Sequence, residues 1–332
     1  DEVVQAAEQA IRATGFEELA LLSLSSSDYT PIVELVQALG EKLAGSHLSI
    51  SLPRLRIESV SVDLVERLRQ RRSSGFTLAP EAASERMRRA INKDIPDEQI
   101  LETVRQVYSR KWTTLKLYFM IGLPGETLED VQAIVDLCRR VMAEGRRALG
   151  GKARLNVGIS TFIPKPHTPF QWAPLERLEQ IEAKQDLLRR ELRDRSIKLT
   201  WTSPQDTLLE ALLSRGDRRM AAVIEAAWRR GAKFDAWQEH ARHELWLEAL
   251  QQQGLEAEAL VHRARGEDEV FPWEHISSAV RRKYLWNEYR SAQNGDTRAY
   301  LYSAGDLILL TDAQDAIYLD LANGVITEEP AV

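Results

Sequence analysis

The chain has 332 residues, of which 44% are hydrophobic and 28% charged, and its formal net charge is −6. This length suffices for one large domain with an appendage or for two ordinary domains. The negative balance disfavours a diffuse electrostatic attraction to nucleic acid. No apolar run approaches membrane-spanning length and no signal peptide is visible, so the sequence predicts a cytoplasmic protein that does not enter a membrane.

Runs with a helical period alternate with short apolar runs over residues 1–202. Strands are predicted at residues 19–24, 47–52, 75–79, 113–121, 153–163 and 197–202. Helices are predicted at residues 1–14, 31–45, 61–72, 128–144 and 175–195, with further helices beginning near 84 and 97. Such alternation is typical of right-handed βαβ units. The sequence therefore predicts an α/β fold with a parallel sheet, arranged as a partial (β/α)6 barrel that resembles a TIM barrel.

The pattern changes after residue 202. Residues 203–299 predict successive helices that form a separate helical domain, and we interpret their tryptophans (Trp228, Trp237, Trp246 and Trp286) as packing residues. Residues 300–332 lose the helical period and form a tail, in which 307–310 and 316–321 predict a β-hairpin.

The predicted strands have one apolar and one polar face. Successive side chains of a strand point to opposite sides. In the central strand, Leu115, Leu117 and Phe119 share one side, whereas Lys116 and Tyr118 share the other. The other strands repeat this alternation, with Ser, Thr, Asn and Gly in the polar positions. If helices cover the apolar face, the polar face lines the barrel, which predicts a cavity for a polar ligand; a solvated sheet face is the alternative.

A short glycine-rich loop follows the central strand. It reads Gly122-Leu123-Pro124-Gly125-Glu126, and a helix start follows it. Glycines let a ligand approach the backbone closely, and amides at a helix start point outward. The loop matches neither a Walker loop nor a dinucleotide-binding motif. We predict it to be part of a ligand site.

Three charged side chains lie on or beside strands. Glu81 ends the third strand, where it could bind a ribose hydroxyl or an ammonium group or serve as a carboxylate at a helix start. Lys116 lies mid-strand, where a cation needs an acidic partner or an anionic ligand. Arg54 follows the second strand, where a ligand contact and a solvated loop are both open.

Metal-ligating residues are sparse. The one cysteine, Cys138, lies in a helical pattern, so all-cysteine metal sites and disulfide frameworks are excluded, and we interpret it as a buried helix residue. His240 and His243 are three residues apart without a third ligand, and we interpret them as surface residues.

Three segments together carry a family resemblance. They are TLAPEAASERMRRAINK (77–93), LKLYFMIGLPGETLEDV (115–131) and STFIPKPHTPFQW (160–172). In this order they resemble the radical S-adenosylmethionine superfamily, and most of all its group with a cobalamin-binding-like domain ahead of the barrel. The segments PWEHI (272–276) and YLWNEY (284–289) are similar to the helical tail of that group.

The resemblance implies binding of S-adenosylmethionine against a [4Fe-4S] cluster. Reductive cleavage, which needs an electron donor, would then give a 5′-deoxyadenosyl radical that abstracts hydrogen from a substrate. It implies cofactor-contacting residues at four strand ends: Ser25, Ser26 and Asp28 toward the methionine amino group, Glu81 toward the ribose and carboxylate, Gly122 to Glu126 behind the adenine, and Thr161, Phe162 and Pro164 beside the adenine.

The sequence departs from the family at the cluster. The superfamily binds its cluster through a CxxxCxxC loop after the first barrel strand, and Cys138 cannot replace three thiolates. We therefore expect the first strand and its cysteine loop to lie upstream, which makes this chain a fragment that is inactive alone and completed by the missing N-terminal part.

Two other functions remain open from the sequence. A cluster-free barrel could use Lys116 in the manner of a lyase or aldolase. A barrel remnant could also serve as a non-catalytic scaffold whose tryptophan-rich helices contact a partner. RNA binding is left open as well, although we interpret the basic runs at 86–89 and 281–283 as solvated helix faces.

Overall fold

The computed structural model describes residues 2–21, 29–42, 49–51 and 75–294, together with four strands between residues 300 and 330. Its α-helices are α1 (Glu2–Thr14), α2 (Ile32–Lys42), α3 (Glu85–Ala90), α4 (Asp97–Ser109), α5 (Leu128–Leu149), α6 (Leu178–Glu191), α7 (Pro204–Arg215), α8 (Met220–Arg229), α9 (His243–Gln252) and α10 (Arg282–Asn294). Its strands are β1 (Glu18–Ala20), β2 (Ser49–Ser51), β3 (Phe76–Glu81), β4 (Thr114–Ile121), β5 (Arg154–Thr161), β6 (Ile197–Trp201), β7 (Tyr300–Ser303), β8 (Asp306–Leu310), β9 (Asp315–Asp320) and β10 (Val325–Pro330).

The first six strands form two parallel sheets, and described helices lie between β1 and β2 and between each pair of consecutive strands from β3 to β6. β3, β4, β5 and β6 are adjacent in that order, and β1 pairs with β2. The predicted α/β fold is confirmed. The sheet of β3 to β6 is not closed into a barrel within the described residues. The predicted helix at 61–72 lies outside them.

The two sheet faces differ as the alternation predicts. The apolar positions of β3, β4 and β5 are 0–3% exposed, and they are Phe76, Leu78, Leu115, Leu117, Phe119, Leu155, Val157 and Ile159. They form one core with α4, α5 and α6, to which α1, α2 and Ile50 of β2 also contribute. The opposite face is partly open, since Tyr118 is 47% exposed. Within the described residues, helices cover the apolar face, whereas the polar face is contacted by α3 at Met120 and is otherwise partly open to a ligand.

The sequence places the end of α5 too early. The prediction ended this helix near residue 144, before a basic and glycine-rich stretch, but it continues to Leu149 and ends at Gly150, whose φ is 59°. Gly145 is buried inside the helix, where a Cβ would lie 2.9 Å from the Tyr108 ring and 3.0 Å from Cβ of Ala153. Gly145 thus allows α5 to pack closely against α4 rather than ending the helix.

Helices dominate the chain between residues 204 and 294. α7, α8 and α9 share a core that includes Ala211, Val223 and Leu250. A second, aromatic cluster joins Trp172 to residues 271–289, and Trp286 packs on Trp172 with ring centroids 5.0 Å apart. The packing interpretation fits Trp246 and Trp286, but Trp228 and Trp237 are 64% and 57% exposed.

The last strands form a four-stranded antiparallel sheet. Its order is β10-β9-β8-β7; β8 contains the first run of the predicted hairpin and β9 contains the second run up to residue 320. Separately, no helix in the described part of the chain combines the length and the apolar character needed to span a bilayer.

Gly145→Ala should lower the free energy of unfolding by about 1–2 kcal/mol. Overpacking against Tyr108 and Ala153 costs about 1–3 kcal/mol, and the better helix propensity of alanine returns about 1 kcal/mol or less. Urea denaturation measures the difference. Gly151→Ala is the matched control, since nothing lies within 4 Å of a Cβ there. A Gly145→Ala protein as stable as the Gly151→Ala protein would contradict the packing argument.

Candidate functional site at the carboxyl ends of the strands

The carboxyl ends of β4 and β5 lie level with each other. Eight consecutive residue pairs join the two strands, from Thr114 with Arg154 to Ile121 with Thr161. The pairing continues one step further, because the Phe162 amide donates to the Ile121 carbonyl over 2.8 Å. The loops that begin at Gly122 and Phe162 are therefore adjacent. In parallel α/β sheets this edge is where ligands bind.

The loop after β4 has a turn geometry that its sequence dictates. The Glu126 amide donates to the Leu123 carbonyl over 3.0 Å, and Gly125 has a φ of 78°. Proline at the second position and a positive-φ glycine at the third are the signature of a type II turn. Gly122 has a φ of 81°, so both glycines are needed for this backbone path.

Glu126 points into the protein rather than toward solvent. Its side chain is 3% exposed, and its Oε2 accepts from the Gly122 amide over 2.7 Å and from Lys184 Nζ over 2.7 Å. Lys184, on α6, is 5% exposed and also donates to Glu176 Oε1 over 2.6 Å. A buried lysine between two carboxylates thus fixes the loop to α6.

This triad carries more negative than positive charge. Glu176 Oε2 is buried without a hydrogen-bond partner, and a Cβ on Gly122 would lie 3.1 Å from it. Burial raises the pKa of Glu126, and the charge and hydrogen bond of Lys184 oppose the shift. The two carboxyl groups and the lysine therefore form a tightly packed cluster beneath the glycine loop. Because Glu176 lies against Gly122, a side chain at that position would be crowded.

A second network joins the ends of β3 and β4. Asp130, in the first turn of α5, accepts from Ser84 Oγ over 2.6 Å and from the Thr127 amide over 2.8 Å. Arg86 pairs with Asp130 and donates to the Gly125 carbonyl over 3.0 Å. Burial acts to raise the pKa of Asp130, but these hydrogen bonds outweigh it and lower the pKa. The segment after β3 is thereby held against the glycine loop.

Glu81 occupies an unusual backbone position at the end of β3. Its φ is 66°, and the pairing of β3 with β4 shifts between Leu78 and Glu81. Pro80 cannot donate to the ladder, which accounts for the irregularity. The Glu81 side chain is 33% exposed, with Oε1 3.7 Å from Lys93 Nζ. Burial raises the pKa of Glu81, and Lys93 acts against the shift. Non-glycine residues at positive φ concentrate at functional sites.

The end of β5 contributes a hydroxyl and a ring. Thr161 is 8% exposed, and its Oγ1 has no hydrogen-bond partner. Phe162 is half-buried and packs edge-on against Phe170 at 5.3 Å between centroids. Pro164, two residues further along, is buried. A buried hydroxyl without a partner at a strand end is a polar group for which a ligand could supply the missing hydrogen bond.

Lys116 and Tyr118 lie in the middle of β4 on the open face. Lys116 pairs in register with Thr77 and Asn156 and has no hydrogen bond or ion pair among the described residues. The Tyr118 ring covers Gly158 of β5, where a Cβ would lie 2.7 Å from it. The two side chains are thus on the polar face below the strand ends, not on the edge itself.

The remaining predicted residues divide into two groups. Ser25, Ser26, Asp28 and Arg54 lie outside the described residues. His240 is exposed and its ring lies 6.1 Å from Phe234, whereas His243 Nε2 is 2.6 Å from Asp206. Sequence reasoning missed Lys184 and Glu176, which come from distant segments and carry no local signal.

Comparisons with known proteins match part of the chain to a family model and to one curated relative. Residues 1–138 match the family model of the radical SAM superfamily. An uncharacterised protein of Methanocaldococcus jannaschii is 29% identical over 225 residues, which cover 68% of this chain and 47% of that protein. The chain thus spans about half the length of the curated relative it matches.

Two solved structures of radical SAM enzymes are similar only distantly. Coproporphyrinogen III oxidase of Escherichia coli is 17% identical, with a TM-score of 0.36, over 96% of this chain and 59% of that chain. Archaeal Elp3 of Methanocaldococcus infernus is 10% identical, with a TM-score of 0.40, over 99% of this chain and 74% of that chain. Neither likeness shows the family of this chain, and the match to the family model covers residues 1–138, which is less than half of the chain.

Lys184→Met should lower the free energy of unfolding by about 3–5 kcal/mol, because it leaves two buried carboxylates without their cation. The loss should be smaller at pH 5 than at pH 8. Carboxyls without a cation in a buried site have raised pKa values, so their stabilising protonated form is lost as the pH rises.

Urea denaturation at both pH values tests this prediction. Lys165→Met is the control, because its partner Glu210 is 55% exposed and such pairs contribute about 1 kcal/mol or less. Equal losses in the two variants, or a Lys184→Met loss that does not depend on pH, would contradict the buried-triad account.

Proposed function

We propose that this chain, whose residues 1–138 belong to the radical SAM superfamily, binds S-adenosylmethionine along the carboxyl edge of β3, β4 and β5 as the nucleoside-binding part of a radical enzyme. Membership of the superfamily supports radical chemistry that depends on S-adenosylmethionine. The observation that carries the proposal is the convergence of Glu81, the glycine loop and Thr161 on one sheet edge.

The residues of this edge fit an adenosyl ligand. The buried Thr161 hydroxyl lacks a partner, and Gly125 is exposed with nothing within 4 Å of its Cβ position, which leaves its backbone open to close approach. Phe162 offers a half-buried ring against which a purine could pack. When bound, S-adenosylmethionine supplies the one-electron chemistry for which the superfamily is named. The chain's own residues bind and orient it.

Each residue has a proposed role. The Glu81 carboxylate accepts hydrogen bonds from ligand hydroxyl or ammonium groups, and the left-handed backbone at Glu81 fixes the direction of the side chain. The loop from Gly122 to Glu126, held by Lys184, presents the backbone behind the adenine. Lys116 and Tyr118 face the ligand from below the edge. Ser25, Ser26, Asp28 and Arg54 complete the proposed binding set.

A [4Fe-4S] cluster does not fit the residues present. Such clusters need thiolate ligands, and the sequence has one cysteine. Cys138 is fully buried in α5, and burial raises the pKa of its thiol to about 12. No group of three or more His, Cys, Asp or Glu side chains within the described ranges is placed to hold a metal. We propose that cluster ligands come from outside these 332 residues.

The chain should bind S-adenosylmethionine with one saturable site in isothermal titration calorimetry, without iron or reductant. Glu81→Gln should weaken binding by about tenfold, or about 1.4 kcal/mol, because a charged acceptor becomes a neutral one. Glu182→Gln, at an exposed position of α6, is the control and should bind as wild type does. Absence of saturable binding would refute the proposed function, and a Glu81→Gln protein with wild-type affinity would remove Glu81 from the site.

Cys138 should resist modification in the folded protein. At pH 8 a thiol with a pKa of about 12 reacts roughly a thousandfold more slowly than one near the ordinary 8.5, since only the thiolate reacts. Release of thionitrobenzoate from Ellman's reagent measures the rate, with guanidinium-unfolded protein as the reference. Rapid reaction of the folded chain would contradict the burial of Cys138 in α5.

A further inference from the structure

A pocket of about 310 Å³ opens beside the loop that follows β5. Its floor consists of Gln171, Phe271 and Trp273, which are 3%, 4% and 8% exposed. The Phe271 and Trp273 rings stack with centroids 5.1 Å apart, and Trp273 Nε1 donates to Gln171 Oε1 over 2.9 Å. His167, His275 and the ion pair between Arg282 and Glu274 add polar and charged groups to the wall. The pocket therefore combines a rigid aromatic floor with hydrogen-bonding sides.

Two buried arginines contact this floor without lining the pocket. Arg215 is 0% exposed, and its Nη1 donates to the Gln171 carbonyl over 3.3 Å. Arg265 is 7% exposed, and its guanidinium lies 5.3 Å from the Phe271 centroid and 4.9 Å from the Trp273 centroid. The two are linked, since Arg265 Nη2 donates to the Arg215 carbonyl over 2.9 Å.

The charges of these two arginines are poorly compensated. Nε and Nη2 of Arg215, and Nε and Nη1 of Arg265, are buried without a hydrogen-bond partner. The carboxylate nearest to Arg265, that of Glu269, is 4.0 Å from Nε and is engaged by Arg263 over 2.5 and 2.7 Å. Burial lowers the pKa of Arg215 to about 10, and the charge of Arg265 adds to this effect.

The other buried charged groups of the described residues do have partners. Arg88, also 0% exposed, uses all three guanidinium nitrogens, which donate to Ile95, to Ala82 and Ala83, and to Asp97. Lys184 lies between Glu126 and Glu176. Arg215 and Arg265 differ from these groups, because they have N–H donors without partners and no carboxylate of the described residues within hydrogen-bonding distance.

We propose that this pocket binds an anionic ligand that carries a ring, with Phe271 and Trp273 packing on the ring and the Arg215–Arg265 pair attracting the anion. A low-dielectric surrounding screens the two charges weakly, so their potential extends through the one-residue layer of the floor into the pocket. His167, in the loop that follows β5, lines the pocket, and we assign this pocket as the substrate pocket of the radical enzyme; that assignment alone rests on the proposed function.

Phenyl phosphate, phenol and inorganic phosphate are the probes that test this site, in calorimetric titrations at constant ionic strength. Phenyl phosphate should bind at least tenfold more tightly than phenol, which lacks the anion, and than inorganic phosphate, which lacks the ring. Binding of phenol and phenyl phosphate with equal affinity, or no saturable binding of phenyl phosphate, would overturn the proposal.

Two variants locate the source of the charge preference. Arg265→Met should reduce the preference for phenyl phosphate over phenol at least fivefold. Arg229→Met should leave it unchanged, because Arg229 is 68% exposed and paired with Glu225. If the Arg265→Met protein does not fold, the proposal is judged by whether the wild-type protein binds phenyl phosphate at least tenfold more tightly than phenol. A preference retained by folded Arg265→Met protein would overturn the role of the buried pair. Since these titrations contain neither S-adenosylmethionine nor iron, their outcome is independent of the proposed radical chemistry.

Discussion

The parallel pairing of β4 with β5 is the constraint on which the candidate site depends. Eight residue pairs without a shift bring Ile121 and Thr161 to the same level, so that two loops leave the sheet side by side. A slip of one residue would turn Leu115, Leu117 and Phe119 from the core to the open face, which makes the register costly to change. The position of the site is thus fixed by burial of apolar side chains, not by the polar residues that line it.

Polar interactions then shape the edge that the register creates. Lys184 holds the glycine loop through Glu126, and Asp130 ties the segment after β3 to the start of α5. The pair of Lys184 with Glu126 is buried, where an ion pair that loses one partner is costly, whereas Asp130 is buried but its partner Arg86 is 52% exposed. The loop can therefore present its backbone at a fixed position while its own carboxylate faces away from the edge. At the described ends of β3 and β5, the Glu81 carboxylate has Lys93 3.7 Å away and the Thr161 hydroxyl has no hydrogen-bond partner.

Local sequence patterns predicted most of the strands of the sheet, but not the buried charged residues that hold its loops and the neighbouring helices in place. The two-residue period of β4 separates Leu117 from Tyr118, and the Pro124-Gly125 pair specifies its turn type, because both depend on neighbours in the sequence. Lys184 is 58 residues from Glu126, in a helix with several other charges, so nothing in the sequence distinguishes it. The burial of Arg215 and Arg265 cannot be predicted from the sequence for the same reason, since it follows from how the helices pack. The sequence predicts the end of α5 too early because a glycine such as Gly145 commonly marks the end of a helix. In the structure Gly145 lies inside α5, where it allows close contact with Tyr108 of α4.

Hydrogen–deuterium exchange with and without S-adenosylmethionine would show where the ligand binds on the chain. If it binds at the ends of β4 and β5, saturation slows exchange in peptides that cover residues 119–127 and 159–165 and leaves exchange in residues 204–229 unchanged. Saturable binding with protection confined to residues 204–294, or with none at the ends of β4 and β5, would contradict binding at these strand ends.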